Sequence, residues 1–486
     1  MFGNCYAMNL SRVRRIVQIG AFLLFLFLWI NSISLPPSAI PPDFFFRIDP
    51  LLGLGTLLAA RSASRTMLWA AALLLLTLIG GRFFCGWVCP LGTVLDFSDK
   101  ILHRREQPSK RDYRFLKYYF LALVLASSLF GLTLFLFFDP ISLLSRTLSL
   151  IFYPVAVFVG NALLALVGPL FTKLGFQWYR FHSQPFFDLR FSVIALGVVL
   201  FIIVLGKVER RFWCRNLCPL GALLGFVSRA ALFRRRVNEE RCDHCGLCLR
   251  ECPMGAIEKD FHLQPGECIQ CGICSSVCPG GAIEVRPKLG LAPHPVGYSP
   301  SRRLFLSSAA AAVGVVLAFL AKSRGFAARV DRLLRPPGSL PEKEFLDRCI
   351  RCGLCLKACP TGGLQPAFWE AGLEGFGTPR LVPRRGGCEK ECNLCGTVCP
   401  TGAIRPLSLD EKQSIRLGVA IIDRSRCIAW SQGKLCLICA EVCPYGAVEI
   451  RLPFRRPYIL TGECRGCGLC EQHCPVEGEA AVLVYP

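Results

Sequence analysis

The sequence predicts two fold classes in one chain. One is an α-helical membrane domain of about five spans, built as duplicated two-span halves. The other is a set of small α+β domains folded around metal clusters. Three observations predict this. The hydrophobic fraction is 53% with a mean hydropathy of +0.45, and the apolar residues are concentrated before residue 322. An element beginning Arg82-Phe83-Phe84-Cys85 is echoed at Arg211-Phe212-Trp213-Cys214. Finally, 24 of the 29 cysteines fall into six runs, each closed by a Cys-Pro pair. At 486 residues the chain is too long for one core and divides into several domains.

The membrane domain is expected over residues 1–236. Candidate spans are 16–35, 66–84, 115–138, 191–207 and 304–321, each near the ~20 residues a spanning helix needs. The net charge of +22 invites a nucleic-acid reading. The arginines instead gather at span ends: Arg12, Arg14 and Arg15; Arg104, Arg105, Lys110, Arg111 and Arg114; Arg210, Arg211 and Arg215; Arg234, Arg235 and Arg236. That distribution is the positive-inside signature and places the N-terminus and both basic loops in the cytoplasm.

Within this domain Arg82 to Gly92 is repeated as Arg211 to Gly221, each copy carrying C-x3-C-P-L-G. Ahead of each lies an Asp-Pro step, Asp49-Pro50 and Asp139-Pro140. Each half reads basic start, span, outer Asp-Pro turn, span, inner C-x3-C-P, so the halves should be related by a pseudo-two-fold axis along the membrane normal. The second half is longer, with 75 positions from Asp139 to Cys214 against 36 from Asp49 to Cys85. The excess coincides with the apolar stretch 148–170, expected as an interfacial or re-entrant element.

Cys85 and Cys89, and Cys214 and Cys218, are spaced i,i+4 and would share a helix face. The duplication could gather all four at one metal site. Redox-active thiols, or a helix-ending turn that contains cysteine, are the alternatives. Asp49 and Asp139 are the only carboxylates repeated between the halves. Ionisable groups near membrane depth are often functional, and these two are candidate proton acceptors; the competing role is helix capping or an Asp-Pro turn.

A cytoplasmic domain is expected over 237–290. Cys242, Cys245, Cys248 and Cys252, then Cys268, Cys271, Cys274 and Cys278, both read C-x2-C-x2-C-x3-C-P. This is the bacterial ferredoxin spacing for 4Fe-4S clusters, in which the fourth cysteine ligates the other cluster. One set is then Cys242, Cys245, Cys248 and Cys278, the other Cys268, Cys271, Cys274 and Cys252. Structural zinc would also suit four thiolates, but does not need a shared fourth cysteine.

A linker over 291–300 precedes Ser301-Arg302-Arg303-Leu304-Phe305-Leu306. This matches a twin-arginine export pattern at the head of a signal anchor over 301–322, and puts the last third outside. There, over 340–486, lie Cys349, Cys352, Cys355 and Cys359; Cys388, Cys392, Cys395 and Cys399; Cys427, Cys436, Cys439 and Cys443; and Cys464, Cys467, Cys470 and Cys474. The middle two runs are stretched at their first gap. Extending the ferredoxin rule as outer with outer and inner with inner pairs the first three cysteines of each run with Cys474, Cys443, Cys399 and Cys359 respectively. A disulfide scaffold is the rival for an exported domain. The expected cofactors are thus six 4Fe-4S clusters and a seventh metal site at the C-x3-C-P cysteines. No haem is expected, because the spans lack histidine and no C-x-x-C-H occurs, and no flavin, because no Gly-x-Gly-x-x-Gly follows a strand. Cys5 belongs to no run.

Taken together, residues 1–290 resemble the NapH family of membrane ferredoxins, and residues 301–486 resemble the NapG and MauM families of four-cluster ferredoxins. The resemblance implies an electron-transfer protein of a bacterial inner membrane, with its first ferredoxin domain cytoplasmic and its second periplasmic. It implies as partners a quinol or quinone and a periplasmic reductase or cytochrome, with no terminal substrate site of its own. The alternative is a membrane ferredoxin-type maturation factor that reduces a metal or thiol during assembly of a respiratory enzyme.

Overall fold

A computed structural model describes residues 2–32, 40–61, 67–102, 113–173, 189–287, 302–325 and 332–486. The expected linker at 291–300 lies outside them, as do Arg104, Arg105, Lys110, Arg111 and the side chains of Arg302 and Arg303. The chain forms two compact units, Met1–Leu144 with Gly197–Leu320, and Ser145–Leu196 with Ala321–Pro486.

The first unit is helical, with a small sheet at its ferredoxin end. Among the described residues two helices are long and apolar enough to cross a bilayer, Leu10–Ile30 and Pro140–Leu166. The other apolar helices, including Leu68–Gly80, Phe115–Leu129 and Leu189–Leu205, are shorter. Five full spans are therefore not present among the described residues. The expected span 115–138 shows why: its helix ends at Leu129, Leu132 N–H donates back to Ser127 O at 2.8 Å, and a separate turn Leu134–Phe138 leads to Asp139. Hydropathy is continuous across that stretch while the backbone is not.

The apolar excess 148–170 is likewise not broken as a re-entrant element would be. It continues the helix started by Pro140, and Pro154 is accommodated by a wider turn over Leu148–Phe152 just before it. Helix Arg302–Gly325 covers the expected signal anchor, and its Ala312 and Val316 are buried against Leu123 and Leu132.

Several arginines read as charges at span ends are internal. Arg14, Arg114, Arg211 and Arg235 are all buried in hydrogen-bonded positions. Arg234 to Arg236 form part of strand Phe233–Val237, which pairs antiparallel with Ile283–Pro287. The ferredoxin sheet thus begins a few residues before the boundary expected at 237.

Among its described residues the second unit contains three two-stranded antiparallel sheets: Leu364–Pro366 with Pro379–Leu381, Val419–Ile422 with Val482–Tyr485, and Val448–Arg451 with Arg456–Ile459. It also contains the insertion of the second half. Phe191 packs on Phe376 at 5.1 Å between ring centroids, and the Lys357 ammonium lies 5.5 Å from the Tyr153 ring. The extra segment thus makes its contacts with the C-terminal domain.

Candidate metal centres

The four unstretched ferredoxin-type runs wrap their thiols by the same local device. In four runs the residue after the second cysteine is glycine at positive φ: Gly246 at 71°, Gly272 at 77°, Gly353 at 82° and Gly468 at 80°. A left-handed residue there turns the chain into a short helix carrying the third cysteine, and glycine takes that conformation without a Cβ penalty. The two stretched runs place Asn393 and Leu437 at this point with φ of −130° and −114°; their longer first gap makes the left-handed turn unnecessary. The fourth cysteine ends the helix before proline. Its sulfur accepts a main-chain N–H in four runs: Ala256 to Cys252, Ala282 to Cys278 and Ala447 to Cys443 at 3.3 Å, and Ile404 to Cys399 at 3.4 Å.

Four of the six sets of loops line pockets whose walls are four sulfurs and almost only apolar atoms. One is lined by Cys268, Cys271, Cys274 and Cys252, and Cys248 of the companion run neighbours Cys242, Cys245 and Cys278. The exchange of fourth cysteines expected in the middle domain is therefore present. In the C-terminal domain the pairing differs from the nested arrangement expected. Cys349, Cys352 and Cys355 line a cavity with Cys399 rather than Cys474. Cys388, Cys392 and Cys395 neighbour Cys359 rather than Cys443. Cys427, Cys436 and Cys439 take Cys474, and Cys464, Cys467 and Cys470 take Cys443. Runs pair with their sequence neighbours, first with second and third with fourth.

The donor chemistry fits iron–sulfur clusters. Every described cysteine is free of disulfide. No three His, Cys, Asp or Glu groups among the described residues converge as tightly as one ion requires; four thiolates on a zinc would lie about 3.8 Å apart. Burial, reinforced by repulsion from neighbouring sulfurs, raises the thiols of Cys388 and Cys439 to about 12. A cationic core would compensate that stored repulsion and release the protons.

The duplicated element forms a separate four-thiol group. Cys85, Cys89, Cys214 and Cys218 are all buried, and each lies within electrostatic reach of others in the set. The pairs do not share one helix, as i,i+4 spacing suggested. Cys85 and Cys214 sit in short turns, Phe83–Trp87 and Trp213–Leu217, while Cys89 and Cys218 precede new helices, Pro90–Leu102 and Pro219–Ser228. Proline at the first helical position enforces the break. The Gly221 N–H then donates to Cys218 Sγ at 3.2 Å, so the helix N-terminus faces the sulfur.

The group lies directly against the ferredoxin domain. A Cβ at Gly86 would collide with the carbonyl oxygen of Ile269, and Trp87 Nε1 donates to Gln270 O at 3.1 Å. Ile269 and Gln270 lie between Cys268 and Cys271, so the neighbouring cavity is that of Cys252, Cys268, Cys271 and Cys274.

Asp49 and Asp139 are brought together and fully buried. Each caps a helix: Asp49 Oδ1 accepts from Leu51 N at 2.8 Å and Asp139 Oδ2 from Ser142 N at 2.8 Å. The capping role weighed from sequence is therefore present, and each carboxyl retains one oxygen with no donor, Asp49 Oδ2 and Asp139 Oδ1.

Sequence reasoning missed the ionic groups between these parts. Lys117 Nζ donates to both Glu267 oxygens at 2.6 and 2.5 Å, Arg82 lies 3.6 Å from the same carboxylate, and Arg211 grips Asp96 at 2.5 and 2.7 Å. The available signal was the arginine at the head of both repeat copies.

Models described as "4Fe-4S binding domain" match residues 64–108 and 187–238, then 235–258 and 262–284, and also 461–477. A "4Fe-4S dicluster domain" matches 348–403, the span of the first adjacent pair of C-terminal runs. The methylamine utilization ferredoxin-type protein MauM of Methylorubrum extorquens is 37% identical over 202 residues, covering 39% of this chain and 90% of that protein. The ferredoxin-type protein NapG of Escherichia coli is 35% identical over 189 residues, 36% of this chain and 79% of its own length. MauN of Methylorubrum extorquens is 31% identical over 211 residues, covering 42% of this chain and 59% of that protein. With 4Fe-4S models on both sides of the chain and nearly all of a MauM protein covered, this chain belongs to the MauM and NapG family of ferredoxin-type iron–sulfur electron-transfer proteins.

Proposed function

We propose that this chain is a membrane-bound conduit carrying electrons between the quinol pool and a periplasmic reductase. The observation that carries it is the set of six four-sulfur groups, four of them lining cavities, each completed by the fourth cysteine of a neighbouring run. On this reading each group holds one 4Fe-4S cluster and Cys85, Cys89, Cys214 and Cys218 hold a seventh. Bound there, the clusters supply reversible one-electron transfer.

The chain's own residues do the rest. The apolar linings exclude water, and main-chain N–H groups on sulfur steady the thiolates. The Gly86–Ile269 approach keeps the C-x3-C-P site against the first ferredoxin cavity. Oxidation of a quinol to a quinone yields two electrons and two protons, and the free oxygens of Asp49 and Asp139 serve as the proton acceptor. Membrane residence is supported by large apolar side chains exposed on the helices, among them Leu23, Phe27, Leu68, Trp69, Phe158 and Leu166, which need lipid cover. The packed helix Arg302–Gly325 supports a retained anchor that follows a twin-arginine signal, with the last domain exported and the middle one cytoplasmic.

Anaerobic purification with iron and acid-labile sulfide analysis tests the cofactor content, with about 28 iron atoms per chain expected. Addition of menaquinol should then bleach the cluster absorbance. Zinc with little sulfide would end the electron-carrier reading, and clusters that menaquinol leaves oxidised would end the quinol assignment.

A further inference from the structure

We infer that Arg82 and Arg211 form a cationic clamp around an anionic iron–sulfur group held by Cys85, Cys89, Cys214 and Cys218, with Arg82 donating hydrogen bonds to it. The inference rests on the reading that these four thiols bind such a group.

The two arginines occupy the same position in the two repeat copies, and both are fully buried. Each reaches across to the other half. Arg211 Nη1 donates to Cys85 O at 3.1 Å and Nη2 to Gly92 O at 3.2 Å. Arg82 Nη2 lies 2.9 Å from where a Cβ of Gly221 would stand, beside Cys214 O. Gly92 and Gly221 are equivalent in the repeat, which explains the glycine of C-P-L-G: it leaves room for the guanidinium of the opposite half.

The arginines differ in what they have left to give. Arg211 uses Nε and Nη2 on Asp96 and Nη1 on Cys85 O. Arg82 commits Nη1 to Gly266 O at 2.8 Å, while its Nε and Nη2 are buried without an acceptor. Buried donors are rarely left unpaired in native proteins, and such cases point to an absent ligand or ion. Charge gives the same answer. Arg82 shares its one carboxylate partner, Glu267, with Lys117, so two buried cations face one anion. Arg82 lies within electrostatic reach of Cys85 and Cys218. A cube of iron and sulfide held by four thiolates is a net anion and supplies both the acceptor and the missing negative charge. A cation held against it at low dielectric favours the reduced, more negative state and raises its midpoint potential.

The test uses the full-length chain purified anaerobically in detergent, read by iron and sulfide content and by redox titration followed by electron paramagnetic resonance. A Cys214→Ser, Cys218→Ser double variant should lose about four iron atoms and one resonance. Arg82→Gln should either lose the same four or keep them with that one midpoint lowered. Arg82→Lys, which retains charge but not the planar fork, should keep the iron and shift the same midpoint less. Unchanged iron in the cysteine variant overturns the cluster reading itself. Loss of iron there, with every midpoint unchanged in Arg82→Gln, overturns the clamp alone. If Arg82→Gln does not accumulate, Arg82→Lys decides: a shift confined to the resonance missing from the cysteine variant supports the clamp, and no shift overturns it.

Discussion

Asp49 and Asp139, equivalent residues of the two halves, meet carboxyl to carboxyl in a fully buried site. Each uses one oxygen to cap its own helix and keeps the other buried without a donor. Two acceptor oxygens cannot satisfy each other without a proton between them, as in other paired carboxyl groups. The arrangement therefore places two helix caps and a pair of buried carboxyl groups in the same residues.

A role in proton release predicts that Asp49→Asn or Asp139→Asn keeps iron content and membrane levels while slowing reduction by menaquinol. Asparagine still caps a helix and can donate to the remaining carboxylate, so the fold is retained. Stopped-flow absorbance of the clusters measures the rate; equal rates in wild type and both variants would leave the pair as caps only. Alanine at either position should in addition cost about 1 kcal/mol through the lost cap.

Adjacent pairing of the C-terminal runs is open to a double-variant test. Cys399→Ser combined with Cys352→Ser strikes one cavity twice and should remove about four iron atoms. Cys399→Ser combined with Cys436→Ser strikes two cavities and should remove about eight. Nested pairing predicts the opposite pattern, so the iron content of the two double variants distinguishes them.

Glu267 balances Lys117 and Arg82 where the helices meet the ferredoxin domain. Glu267→Gln leaves both cations buried against a neutral amide and should destabilise the first unit by about 3–5 kcal/mol. The expected observation is lower thermal stability and protease cleavage within 237–287. A wild-type cleavage pattern would show the ion pair to be dispensable.

Gly86 is the point where the C-x3-C-P element touches the backbone of the ferredoxin loop. Gly86→Val should push Ile269 away, lengthening the gap between the two four-sulfur sites. Reduction of the Cys252, Cys268, Cys271 and Cys274 centre by menaquinol should slow while iron content holds. A rate equal to wild type would mean that electrons do not cross here.

Cysteine spacing was sufficient, without coordinates, to identify the 4Fe-4S ferredoxin chemistry and the runs whose sulfurs the fold gathers into groups. A C-x2-C-x2-C-x3-C-P run is a local object, and its loop closes over a few residues whatever surrounds it. The repeat likewise announced that Cys85 and Cys214, or Asp49 and Asp139, are equivalent. What only the tertiary structure decided was every relation between distant segments. It paired C-terminal runs with their neighbours instead of nesting them, and ended the helix of the apolar stretch 115–138 at Leu129. It turned Arg14, Arg114 and Arg211 inward, and joined the insertion around Tyr153 and Phe191 to the C-terminal domain. Hydropathy and charge count residues one segment at a time. Whether an arginine meets water or a carboxylate such as Asp96 depends on which distant residue the fold brings opposite it, because burying a charge is costly unless a partner is supplied there.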